Sequence, residues 1–74
     1  MPELPVISGN QARKAFERAG WVFVRVGSSR HIILRKPGNP LALSIPDHKT
    51  LDRGLLRALI RDAGMSVAEF VDRL

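Results

Sequence analysis

The chain has 74 residues, which is room for a single domain spanning residues 1–74. It contains no cysteine, no apolar run near the roughly 20 residues that span a bilayer, and no basic, apolar leader in "MPELPVISG", so we expect a cytoplasmic protein without disulfides or membrane contact. Twelve Lys and Arg against seven Asp and Glu give a net charge of +5, which favours a polyanionic partner, with nucleic acid first and an acidic protein second.

The first helix is predicted from the stretch "VISGNQARKAFERAG". Ser8 and Gln11 stand three residues apart and form a capping box, while Gly20 supplies a stop signal. The apolar side chains that share one face are Ala12, Ala15, Phe16 and Ala19. The sequence therefore predicts an amphipathic helix with a single buried face.

Two strands are predicted next, "WVFVRV" and "HIILRKP", joined by a turn at "GSS". Alternation in the second strand puts Ile32 and Leu34 on one face and His31, Ile33 and Arg35 on the other. His31 and Arg35 therefore point the same way. We assign Trp21, at the start of the first strand, to packing.

A third strand, "LALSIP", follows the hairpin loop "PGNP". The pattern places Leu41, Leu43 and Ile45 on one side, and Pro46 ends the strand. The three strands are predicted to form an antiparallel meander.

Two helices are predicted to close the chain, the first over "TLDRGLLRALIRDAG" with Thr50 or Asp52 as its N-cap. Its apolar residues recur at helical spacing: Leu56, Leu59, Ile60 and Ala63. A short last helix starts at Ser66, boxed by Glu69. The order α-β-β-β-α-α predicts an α+β fold with the helices on one face of a three-stranded antiparallel sheet and the other face partly open.

Few catalytic constellations are compatible with this sequence. No glycine-rich phosphate loop is present, and neither His31 nor His48 has the neighbours of a metal site, so no cofactor or metal is expected. An imidazole ordinarily titrates near neutral pH, so His31 can take a proton from an RNA 2′-OH or donate one to the departing 5′ oxygen. The alternative is a surface histidine that begins a strand, and for His48 it is a turn residue after Pro46.

Basic side chains are concentrated in the middle of the chain, with four Lys or Arg and no acidic residue over residues 25–36. Three arginines also recur every four residues on one face of the long second helix. This pattern indicates either a solvated helix face or a row of contacts to successive phosphates. The predicted RNA-binding residues are Arg30, Arg35, Lys36, Lys49, Arg53, Arg57 and Arg61.

Four motifs carry a resemblance to a known family. They are "SGNQARKAFERAGW" leading into "FVR", a Gly-Ser turn followed by His, "IPDHK" after the third strand, and "LDRGLLRALIRDAGMSVAEF". In this order and at this spacing the chain resembles, over nearly its whole length, the HicA toxin family of small bacterial mRNA interferases.

The resemblance implies a double-stranded-RNA-binding-like α-β-β-β-α fold and metal-independent cleavage of mRNA in a stress response. It maps the family's catalytic histidine onto His31 and suggests an assisting role for His48. Ser28 and Ser29, in the turn before His31, are further candidates for an assisting role. A cognate HicB-type antitoxin would bind the toxin and cover the site. The family commonly has its histidine directly after Gly-Ser, whereas here Ser29 and Arg30 intervene.

Three functional hypotheses remain open from the sequence. The leading one is an endoribonuclease in which His31 assists attack by the 2′-OH, giving a 2′,3′-cyclic phosphate and a 5′-OH. The second is a non-catalytic RNA-binding module that uses the same basic residues. The third is an inactive member that serves as the interaction partner of an acidic protein.

Overall fold

The computed structural model describes residues 3–74 and contains the predicted order of elements. The helices are α1 (Gly9–Arg18), α2 (Arg53–Asp62) and α3 (Val67–Val71). The strands are β1 (Val22–Val26), β2 (His31–Arg35) and β3 (Leu43–Pro46), and a short 3-10 helix (Ser28–Arg30) links β1 to β2. The α+β class and the α-β-β-β-α-α order are confirmed.

The three strands form one antiparallel sheet in the order β1-β2-β3. In the pairing of β2 with β3, His31 is opposite Pro46 and Ile33 is opposite Ser44. In the pairing of β1 with β2 the register shifts by one residue after Phe23. The predicted meander is therefore confirmed, with one irregularity that lies in β1.

One face of the sheet carries the hydrophobic core. Ile32, Leu34, Leu43 and Ile45 are buried together with apolar residues of all three helices. Because residues alternate between faces along a strand, His31, Ile33 and Ser44 lie on the opposite face, which we call the outer face. The prediction of helices on one side and a partly open second side is confirmed.

The burial of two apolar residues tests the predictions made for them from the sequence. Trp21 is 2% exposed, in agreement with its assignment to packing. Leu41, predicted to share a strand face with Leu43, is 48% exposed and precedes β3. The prediction for Leu41 was wrong because the preceding loop extends further: the Leu41 amide donates to Asn39 Oδ1 at 2.9 Å, an Asx-type turn, instead of entering the sheet.

Helix α1 begins and ends as its sequence indicates. The Gln11 amide donates to Ser8 Oγ at 3.1 Å and the Ser8 amide donates to Gln11 Oε1 at 2.8 Å, which completes the capping box. Gly20 follows the helix with a φ of 101°, a conformation that glycine adopts without steric cost. These local signals delimit the helix, and its buried Ala12, Ala15 and Phe16 attach it to the sheet.

Helix α2 is capped by Asp52 and not by Thr50, because Asp52 Oδ2 accepts from the Leu55 amide at 3.0 Å. Leu56, Leu59 and Ile60 face the core. The opposite side of the helix is polar and exposed, so α2 is amphipathic in the sense expected for a helix packed on one face of a sheet.

Helix α3 is short and depends on its cap and on one aromatic contact. Ser66 and Glu69 complete a second capping box, and the Phe70 ring centroid lies 4.9 Å from that of Phe16 in α1. The Ser66 amide, which donates to the Glu69 carboxylate, lowers the pKa of Glu69, with smaller contributions from the Ser66 hydroxyl and the Arg73 charge. Glu69 therefore stabilises the helix start in its ionised form.

Candidate functional site: a histidine cleft on the outer face

A cleft of about 330 Å³ opens on the outer face at the end of the sheet where β2 begins. We call it the histidine cleft. It is lined by Arg25, Gly27, Ser28, Ser29, His31, Ile33 and Ser44. Its walls thus come from all three strands and from the turn between β1 and β2, and they present one imidazole, one guanidinium and three hydroxyl groups without a carboxylate.

His31 is held by backbone contacts on both sides. It is the first residue of β2, it is opposite Pro46 of β3, and its carbonyl oxygen accepts the Gly27 amide at 2.7 Å. The side chain is partly buried beside Ile33 on the outer face. The imidazole therefore projects from a well-anchored backbone position into the cleft.

The turn before His31 uses a backbone conformation that is uncommon for residues with a side chain. Ser29 and Arg30 both have a φ of 58°, in the left-handed region that costs such residues roughly 1–2 kcal/mol each. The Arg30 carbonyl accepts the Asp47 amide at 3.1 Å, which ties the turn to the segment after β3. The two residues between Gly-Ser and His31 are thus accommodated within a tight 3-10 turn, and Ser28 and Ser29 line the cleft next to the histidine.

Two of the predicted RNA-binding residues, Arg35 and Lys36, lie at the far end of β2. Arg35 shares the outer face with His31, as predicted, but four residues of strand separate their Cα atoms by about 13 Å. Both residues line a second depression, and Lys36 Nζ donates to the Ala19 carbonyl at 3.2 Å beyond the end of α1. The structure therefore does not bring them into the histidine cleft.

The arginines of α2 are also separate from the cleft. Arg57 and Arg61 border a groove of about 570 Å³ between α2 and α3, whose walls include Ile60, Met65 and Val67. Because the core packs α2 against the opposite side of the sheet, the sheet lies between this groove and His31. Arg53 and Lys49 are exposed, at and before the start of α2, and neither is among the residues that line the cleft.

The remaining predicted residues, His48 and Arg30, are exposed near the same end of the sheet. The His48 carbonyl accepts the Gly9 amide at 2.9 Å, so this loop joins the end of β3 to the start of α1. Neither residue is among those that line the cleft. Of the predicted site residues, the structure therefore unites His31, Ser28 and Ser29.

Two residues of the cleft, Arg25 and Ser44, were absent from the predicted site. Ser44 could have been found from the sequence, because alternation with Leu43 and Ile45 points it outward opposite Ile33. Arg25 could not, because strict alternation in β1 assigns it to the same face as Phe23, which packs against the core.

Within residues 3–74, no group of three or more His, Asp or Glu side chains comes together as a metal site would require, and no helix has the length and apolarity to span a membrane.

Comparison with known proteins supports one family. The model of that family, described as the HicA toxin of bacterial toxin–antitoxin, matches residues 9–65 of the 74. A search of curated proteins finds no match. The matched range runs from the start of α1 to the residue before the α3 cap and includes the whole cleft. The open three-stranded sheet with its helices is consistent with the double-stranded-RNA-binding-like fold of HicA. The chain therefore belongs to the HicA toxin family and is the toxin of a bacterial toxin–antitoxin pair, with an antitoxin as its partner.

Proposed function

We propose that this toxin is a metal-independent endoribonuclease that cleaves mRNA by acid–base catalysis at His31, and that a cognate HicB-type antitoxin inhibits it by covering the histidine cleft. The observation that carries the proposal is the position of His31: a partly buried imidazole in a carboxylate-free cleft on the open face of the sheet. Membership of a family that is generally composed of mRNA-cleaving toxins supports the choice of substrate.

The proposed reaction needs the RNA strand, protein side chains and solvent water. The 2′ oxygen of the substrate attacks the adjacent phosphorus, the bond to the 5′ oxygen breaks, and the products are a 2′,3′-cyclic phosphate and a 5′-OH. One proton leaves the 2′-OH and one is delivered to the 5′ oxygen; His31 performs one of these transfers and solvent water the other. The hydroxyls of Ser28 and Ser29, which line the cleft, would donate hydrogen bonds to non-bridging phosphate oxygens.

The other predicted cations have a role outside the reaction centre. Arg30, Arg35 and Lys49 are exposed and would contact phosphates upstream and downstream of the cleaved bond. His48 lies outside the cleft, in the loop that joins β3 to α1, so its proposed contribution is to RNA binding and not to proton transfer.

The test is cleavage of an RNA oligonucleotide in EDTA by wild type and His31→Ala. Removing one positioned proton-transfer group should lower cleavage by roughly 10² to 10⁴-fold. The variant should fold normally, because the hydrogen bond from Gly27 and the pairing with Pro46 use only the backbone of residue 31. His48→Ala is the matched control and should lose less. Expression of wild type should arrest growth, and expression of His31→Ala should not.

A modified substrate tests the chemistry itself. An oligonucleotide with a single 2′-deoxy nucleotide at the cleaved position should bind but stay intact, and mass spectrometry of the normal products should find a terminal cyclic phosphate. Wild-type protein that shifts RNA in a gel without cutting it would favour the RNA-binding module instead. Equal cleavage by wild type and His31→Ala would remove the histidine from the mechanism.

A further inference from the structure

A β-bulge in β1 determines the direction of Arg25. Phe23 is opposite Leu34, but Arg25 is opposite Ile33, so Val24 is an extra residue without a partner in β2. Residues opposite each other in an antiparallel pair point to the same face, and Ile33 points to the outer face. The bulge therefore turns Arg25 from the core side, where alternation would put it, to the side of His31.

A glycine makes room for the guanidinium. A Cβ atom on Gly27 would lie 3.2 Å from Arg25 Nη1, which is shorter than an ordinary van der Waals contact, and 3.5 Å from Ile33 Cγ1, which is an ordinary one. The φ of Gly27 is −83°, a value open to any residue, so what the position requires is space and not flexibility. The Arg25 side chain therefore packs across Gly27, whose amide donates to the His31 carbonyl.

The guanidinium in this position has no carboxylate partner among the described residues. Among residues 3–74, the ion pairs join Arg13 to Glu17 and Arg61 to Asp62, and neither involves Arg25. The cleft contributes hydroxyls and an imidazole but no acid. An arginine presents a planar fork of N–H donors that matches two oxygens of a phosphate, and its charge is retained at any working pH.

We propose that Arg25 is the cation that binds the cleaved phosphate and stabilises the negative charge that builds on its oxygens while His31 transfers a proton. This inference rests on the proposed endoribonuclease function. It assigns the electrostatic role to Arg25 and not to Arg35, which shares the outer face with His31 but lies about 13 Å away along the strand. Val24 and Gly27 act as positioning residues for this charge.

The experiment compares Arg25→Ala with Arg35→Ala in single-turnover cleavage. Loss of one donor to a developing oxyanion typically costs 10² to 10³-fold, so Arg25→Ala should fall by about that factor and Arg35→Ala by less than about tenfold. Added guanidinium ion at millimolar concentration should restore part of the Arg25→Ala rate and none of the His31→Ala rate. A merely structural role for Arg25 would show no such rescue.

Gly27→Ala supplies an independent variant that keeps Arg25 in the chain. Its Cβ would lie 3.2 Å from Arg25 Nη1, so the guanidinium must shift by a few tenths of an ångström. The rate should fall by less than in Arg25→Ala, with little further loss when the two changes are combined, because both act on the same interaction. If wild type cleaves, His31→Ala does not, and Arg25→Ala matches wild type, the assignment of Arg25 is wrong while the nuclease stands. If wild type itself does not cleave, both proposals are overturned.

Discussion

Gly9 is where α1 meets the end of β3, and substituting it should disturb both stability and the site. A Cβ at position 9 would overlap the carbonyl oxygen of Pro46 and would lie 3.2 Å from Asp47 Cα. The Gly9 amide also donates to the His48 carbonyl at 2.9 Å, so the two backbones cannot separate without losing a hydrogen bond. Overpacking of this kind costs about 1–3 kcal/mol, of which the higher helix propensity of alanine offsets up to about 1 kcal/mol.

We therefore expect Gly9→Ala to lower the melting temperature by several degrees, since 1 kcal/mol shifts a domain of this size by roughly 4–8 °C. The assay is thermal unfolding followed by circular dichroism. Gly54→Ala is the control, because Gly54 is also in a first helical turn but its Cβ would touch only a side-chain oxygen, Asp52 Oδ2, at 3.1 Å. That variant should stay within about 1 kcal/mol of wild type.

The same substitution should be visible at His31, because Pro46 is opposite His31 in the sheet. The backbone amide resonance of His31 should shift in Gly9→Ala and not in Gly54→Ala. A Gly9→Ala protein that melts at or above the wild-type temperature would refute the close backbone contact between α1 and β3, and with it the argument that α1 fixes the end of the strand next to the cleft.

Two further predictions concern salt and pH. Binding to single-stranded RNA should weaken with salt by a slope of about −0.7 per phosphate contact, hence about −4 for six contacts. Lys49→Ala should reduce that slope by one contact without changing stability by more than about 0.5 kcal/mol, and an unchanged slope would remove Lys49 from the RNA interface. The pKa of Glu69 lies below its ordinary 4.5, so its contribution to stability is present above that pH and is lost as the pH falls through the lowered pKa. Ser66→Ala should raise the Glu69 titration midpoint measured by NMR by the contribution of the hydroxyl alone, because alanine keeps the backbone amide of residue 66, and an unmoved midpoint would contradict the contribution of the Ser66 hydroxyl.

Local signals were enough to predict most elements of the fold. Ser8 with Gln11 and Ser66 with Glu69 cap their helices as their spacing indicates, because these hydrogen bonds join residues only three apart. The faces of β2 follow from alternation alone, so His31 was correctly assigned to the side away from the core. The prediction for Leu41 was wrong because its amide donates a hydrogen bond to the Asn39 side chain, which competes with strand pairing, and hydrophobicity does not report that competition.

The sequence by itself thus determined the order of elements, the buried faces of the helices and of β2, and the strand face on which His31 lies, since each depends on residues close together in the chain. Only the tertiary structure decided which cation stands beside that histidine. Arg25 reaches the cleft because β1 and β2 pair with an extra residue at Val24, and register is a property of two strands together that neither strand contains alone. Likewise, Arg57 and Arg61 are separated from His31 because packing puts α2 behind the sheet, a result of burying apolar faces that spacing along the chain does not specify.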